Sequence, residues 1–186
     1  MRYLSLGEAL VIAEAVTGIP AAVLAKGSGV GLLDSALHAP QASFAGHELY
    51  PDFVNKAAVL AVRIVRNHPL PDGNKRLAWS CLTMFCALNG HDLQTSVEDA
   101  VQQIFTAAAG DVDEAAMADW IAARSDLEPA GRRPPFCVRA SGRPQSTAHA
   151  YRRIWVDGAG RVAAQDGLFG ASQLPASMCM ICAWPA

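Results

Sequence analysis

The strongest constraint on this fold is a stretch from about residue 74 to residue 89 that leaves no polar face. Leu77, Ala78, Trp79, Cys81, Leu82, Met84, Phe85, Ala87 and Leu88 cover nearly every side of a helix of that length, and Gly90 supplies its stop. A helix that is apolar all round must be buried, so other helices have to surround it. The chain has the material for this: 186 residues, 52% hydrophobic and 17% charged, which excludes a wholly disordered protein and leaves room for one ordinary domain plus a tail.

The surrounding elements follow from periodicity and punctuation. Ser5 and Glu8 have capping-box spacing, and Leu6, Leu10 and Ala13 mark one face of a helix over 5–17 that ends at Gly18-Ile19-Pro20. Gly27-Ser28-Gly29-Val30-Gly31 leads into a short helix at about 31–38. This stretch is not a nucleotide loop: the spacing is not GxGxxG, no Lys-Ser/Thr follows and no strand precedes it, so it reads as a flexible helix entry. Residues 40–50 hold short extended candidates. Pro51 stands where a first helical residue should, and Phe53, Ala57, Leu60, Ala61, Ile64 and Val65 give a stripe to about residue 67. Pro69 and Pro71 stop that helix and Asp72-Gly73 makes the turn. Two more helices are predicted at about 96–109 and 112–124, the latter with Trp120 and Ile121 facing inward. Residues 1–124 are therefore expected to be an all-α domain.

Residues 125–186 differ in kind. They hold 6 of the 11 Pro and 6 of the 15 Gly, and no Lys. Charge divides the same way: 8 Lys+Arg against 13 Asp+Glu before residue 125, and 7 Arg against 4 acids after it. A hairpin around 154–162 is the one regular element expected in a tail that otherwise reads as irregular or disordered. Its Arg-Ala-Gly-Pro bias is what GC-rich codons encode, which suits an extension without selected structure. The net charge of −2 argues against direct nucleic-acid binding. No apolar run reaches the length of a membrane span, and Glu8 and Glu14 interrupt the one segment that looks like a leader. Five cysteines, an odd number, suit a reducing cytoplasm, and the lone pair Cys179 and Cys182 reads as incidental.

The chemistry concentrates in HPLPDGNKR, residues 68–76, between two helices. Unsatisfied amides and the dipole at a helix N-terminus attract an anion. Gly73 lets a phosphate approach the backbone, and Asn74 can cap the helix and orient a phosphate oxygen. Lys75 and Arg76 are cations set against the dipole, which makes sense if an anion sits there. His68 suits proton acceptance from a hydroxyl, while Asp72 is a hard oxygen ligand for Mg²⁺ held by phosphates. Arg66 either projects away from His68 along the helix or reaches a phosphate near the loop. His38, His47 and His91 read as solvated or capping groups, and Trp79, Met84 and Phe85 as core. Together these are the parts of a phosphoryl- or nucleotidyl-transfer site.

HPLPDGNKR resembles the signature of the Fic/Doc family, and its Asn-Lys-Arg ending is similar to the Doc branch, the toxins of death-on-curing modules. GLLDSALHAPQASFAGHELYPDFVNKAA before the motif and an apolar helix ending LNGHDL after it fit as well. The resemblance covers about residues 1–124 and none of the tail. It implies a helical bundle with a small extended flap over 41–50 that positions the target backbone. It implies His68 as general base and Asp72 as the Mg²⁺ ligand. Gly73 and Asn74 would line the anion hole, with Lys75 and Arg76 on the nucleotide phosphates. Doc-like toxins use ATP to phosphorylate a threonine of elongation factor Tu, and a separate antitoxin restrains them. No Ser/Thr-x-x-x-Glu-Gly/Asn segment is present to act as an internal inhibitor.

Three positions depart from the family pattern. Leu70 stands where Phe is usual and should still anchor the loop in the core. Lys75 replaces the Gly of adenylylating members, and Trp79 falls where their second phosphate-binding Arg would be. A bulky cation there favours an inverted nucleotide presenting its γ-phosphate, hence kinase over adenylyltransferase. A non-catalytic nucleotide- or antitoxin-binding module is the reading from another class.

Overall fold

A computed structural model describes residues 1–127, 151–156 and 162–167. Its elements, in chain order, begin with α1 (Leu6–Thr17), α2 (Ala21–Leu24) and α3 (Val30–His38), followed by a 3-10 turn (Ala39–Gln41). A minimal hairpin of β1 (Ser43–Phe44) and β2 (His47–Glu48) precedes α4 (Phe53–Asn67) and α5 (Asn74–Leu88). Then come β3 (His91–Leu93), α6 (Val97–Ala109), α7 (Glu114–Ala122) and β4 (Ser125–Leu127). The last two described strands are β5 (Tyr151–Val156) and β6 (Val162–Gly167). The domain is mostly helical, as the periodicity predicts.

The predicted capping box is in place. The Ser5 hydroxyl accepts from the Glu8 amide, the Glu8 carboxylate accepts from the Ser5 amide, and Gly18 closes α1 in the left-handed region. The Ser96 and Asp113 side chains cap α6 and α7 by accepting from the Asp99 and Ala116 amides, without the reciprocal bond. Helix α4 starts two residues later than Pro51 suggests, because Asp52 keeps an extended backbone and serves as its N-cap.

Two helices share the centre, where the sequence pattern predicts one. α5 buries Leu77, Leu82 and Phe85, while α4 buries an unbroken run from Lys56 to Val62, then Ile64 and Val65. The small residues Ala57, Ala58, Val59, Ala61 and Val62 let α3, α5 and α7 all approach α4 closely. Each fully buried Leu, Ile or Phe contributes roughly 1.5–3 kcal/mol. Trp79, expected in the core, is half-buried at the edge, where its ring meets Trp120 edge-on at 6.5 Å. Cys81 and Cys86 are fully buried free thiols, and burial pushes Cys81 up to about 12.

Residues 125–127 are not irregular. β4 pairs antiparallel with β3, His91 opposite Leu127 and Leu93 opposite Ser125, and the Gln94 amide donates to the Arg124 carbonyl at 2.8 Å. The hairpin expected around 154–162 is present as β5 and β6, longer than predicted, with Trp155 opposite Ala163 in register, and both strands lie beside α1. The reading of the remaining tail as disordered, and the Cys179/Cys182 pair, fall outside the described residues.

Candidate functional site

The junction between α4 and α5 is held in an unusual backbone conformation. His68 ends α4 with φ 47° and ψ 57°, a left-handed conformation that costs a non-glycine residue about 1–2 kcal/mol. Such strain persists only where surrounding contacts over-determine it. Leu70, 93% buried, does anchor the loop in the core as expected. Asn74, 6% exposed, closes the loop from the other side: its Oδ1 accepts from the Leu70 amide and its Nδ2 donates to the Leu70 carbonyl, both at 2.8 Å. The same Nδ2 lies 3.4 Å from His68 Nδ1. The side chain therefore clamps the loop and touches the imidazole instead of capping α5, and the N-cap position belongs to Gly73.

Gly73 has φ 79°, which a glycine adopts freely. A Cβ here would come within 2.9 Å of Val16 Cγ1 and 3.5 Å of Thr17 Cγ2. The position is thus glycine because the loop presses on the end of α1, a reason additional to the phosphate approach argued from sequence. Asp72 is 93% exposed, with Oδ2 3.7 Å from Arg76 Nη2. The Lys75 ammonium lies 4.4 Å from the centre of the Phe105 ring on α6. The first turn of α5 carries these two cations and no acid, while its first amides have no intrahelical acceptor.

The structure thus brings His68 and Asn74 together, and Asp72 beside Arg76, while Lys75 is drawn to α6. Arg66 is not at the site: its Nη2 donates to the Val112 carbonyl at 2.8 Å, between α6 and α7. The remaining histidines divide. His38 donates from Nδ1 to the Asp34 carbonyl at the end of α3, and His47 is exposed. His91 corrects the expectation of a solvated ring. It stacks on Phe53 at 3.6 Å, its buried Nδ1 has no hydrogen-bond partner among the described residues, and burial holds its pKa below the usual value.

A divalent ion can be tested against these donors. Among the described residues no cluster of three or more His, Cys, Asp or Glu forms a protein cage. One exposed carboxylate, Asp72, beside a cationic helix start fits Mg²⁺, which takes one or two carboxylates and completes its shell with phosphate and water.

The flap predicted over 41–50 is β1 and β2 joined by Ala45-Gly46, both at positive φ as in a type I′ turn. Two groups missed in the sequence hold its base. Buried Lys56 donates to the Pro40 carbonyl at 3.1 Å and to Glu48 Oε2 at 3.0 Å, and the Tyr50 hydroxyl donates to Glu114 at 3.0 Å. Its tip is bare, with Phe44 77% exposed. A lysine on the inner face of a helical stripe was the available sign of that latch.

The model of the Fic/DOC family matches residues 5–86, the part of the bundle that holds the strained histidine loop and the cationic start of α5. Over that region the chain is similar to this family and to its Doc members. It is 41% identical over 81 residues to a protein named Toxin Doc from Mycolicibacterium smegmatis, a match covering 41% of this chain and 62% of that relative. The chain thus spans less than two thirds of the curated relative it matches. No helix among the described residues is long and apolar enough to cross a membrane.

Proposed function

We infer that the chain is the toxin of a toxin–antitoxin module, a cytoplasmic enzyme that transfers the γ-phosphate of ATP to a hydroxyl of a translation factor, with elongation factor Tu the first candidate. The observation that carries this reading is the contact of Asn74 with His68 across the loop, which ties the imidazole to the first residue of α5. His68 takes the proton from the acceptor hydroxyl as that oxygen bonds to the γ-phosphorus. The bond from the γ-phosphorus to the β–γ bridging oxygen breaks, and ADP leaves. The α5 amides, with the backbone of Gly73 and Asn74, receive phosphate oxygens. Arg76 balances their charge, and Lys75 leaves the Phe105 face to do the same. Asp72 would hold Mg²⁺, which neutralises phosphate charge when bound. The working unit is residues 1–124 completed by β4.

The choice of kinase over adenylyltransferase rests on the first two turns of α5. Lys75 fills space that a glycine would leave open, and Trp79 is packed against Trp120 with no cation to offer a second phosphate. An antitoxin would restrain the site from outside, a segment of it folding into an apolar groove of this acidic domain. Incubation with Mg²⁺, elongation factor Tu and ATP labelled at the γ- or the α-phosphate tests the reading. Label passing from the γ-position is expected. Label from the α-position means adenylylation, and label from neither means a binding module.

A further inference from the structure

The site chemistry leaves the glycine-rich stretch before α3 without a role, yet that stretch meets the loop. Gly29 faces Pro69 so closely that a Cβ would stand 1.8 Å from the Pro69 carbonyl oxygen and 2.7 Å from its carbon. Backbone lies against backbone, and a hydrogen alone fits between. Three residues on, the Leu32 carbonyl accepts from Asn67 Nδ2 at 3.0 Å. Pro69 and Asn67 are the two chain neighbours of His68, so one segment fixes the residue on each side of it. The stretch is not uniform in this respect. A Cβ on Gly31 would meet nothing within 4 Å.

We propose that Gly29 and the Leu32 carbonyl are positioning groups for His68: they set the backbone on both sides of the left-handed residue and so fix where its imidazole points, without touching the reacting atoms. The flexible-entry reading of the stretch is replaced by one in which glycine at position 29 is required for close approach to the histidine loop. The proposal rests on His68 as the proton acceptor, and a displacement of about 1 Å at such a group costs on the order of 10²-fold in rate.

The test uses the full chain with ring-labelled histidine. Gly29→Ala, Asn67→Ala and Gly31→Ala are compared for kcat and KM in transfer from ATP, for the imidazole NMR signals of His68, and for thermal midpoint. Gly29→Ala is expected to lower kcat about 10- to 100-fold with KM for ATP nearly unchanged, and to shift the His68 signals. Gly31→Ala should leave both unchanged. Asn67→Ala opens space instead of filling it, and should shift the same signals and lower kcat even if Gly29→Ala fails to fold. Unmoved His68 signals in folded Asn67→Ala, or equal shifts from Gly31→Ala, overturn the proposal. The signals decide the positioning in a protein that transfers nothing, in which case the role given to His68 falls instead.

Discussion

The loop over 68–73 and the flap over 42–49 flank the same helix, α4, and are held in opposite ways. The loop is pinned by the clamp of Asn74 on the Leu70 backbone, by Gly29 on Pro69 and by Gly73 on α1. The flap has two strands of two residues each, and side chains grip it at its base only. Three constraints on six residues can sustain a strained histidine. A short ribbon with an exposed tip is marginal by itself and takes its order from what it meets. Geometry for chemistry is thus built in at the loop, and adaptability is kept at the flap.

The contrast can be broken or sharpened in steps of decreasing size. His68→Ala should lower transfer by about 10²–10⁴-fold, measured with labelled ATP, while the thermal midpoint stays nearly level, because the side chain is exposed and alanine bears the same left-handed strain. A large fall in stability would mean the histidine is structural. Asn74→Ala strands a buried amide and a buried carbonyl at Leu70, and should cost about 2–4 kcal/mol in denaturant unfolding. If the loss is below about 0.5 kcal/mol, the loop is not over-determined. Lys56→Met unlatches the flap and leaves the Pro40 carbonyl unpaired, for about 1–3 kcal/mol. Hydrogen exchange should speed up at the Leu49 amide, which donates to Ala42 across the hairpin, and not at the Leu70 amide. Phe44→Ser, at the bare tip, should change stability by no more than about 0.5 kcal/mol and raise KM for the acceptor protein alone.

A pH titration separates loosening of either region from loosening of the whole bundle. Burial holds His91 below its usual value of 6.5, so the folded state resists its protonation more than the unfolded chain does. Its contribution is complete above about pH 6.5 and is lost as the pH falls toward the folded-state value. His91→Phe keeps a ring against Phe53 and removes the unpaired Nδ1. Thermal midpoints of this variant between about pH 7 and pH 5 should fall less steeply than those of the parent chain.

Much of this was legible in the sequence because the elements concerned announce themselves locally. The capping box, the apolar stripes and the proline stop after residue 67 each sit within a few residues of what they determine. What escaped depends on partners distant in the chain. β3 and β4 are three residues each and carry no period, so their pairing could not be read. Asn74 and Lys75 were expected to face the anion, yet the Asn74 side chain turns to the loop and Lys75 to Phe105, thirty residues on. Gly29 shows the same limit. Its glycine content was plain, but the reason for it is a proline forty residues later. Arg66, next to the motif in sequence, is carried away by helix rotation to the turn between α6 and α7.

The two thiols on α5 have a practical consequence. Cys81 and Cys86 are sealed in the centre of the bundle, and Cys81 stays protonated far above neutral pH. An alkylating reagent can reach them only when α5 is released from its neighbours. Modification mapped to the peptide that holds both residues therefore serves as a clock for opening of the bundle, one that ticks with no substrate, antitoxin or assay of toxicity. Read at successive concentrations of the proposed antitoxin, the same clock would measure how far a bound partner holds α5 in place.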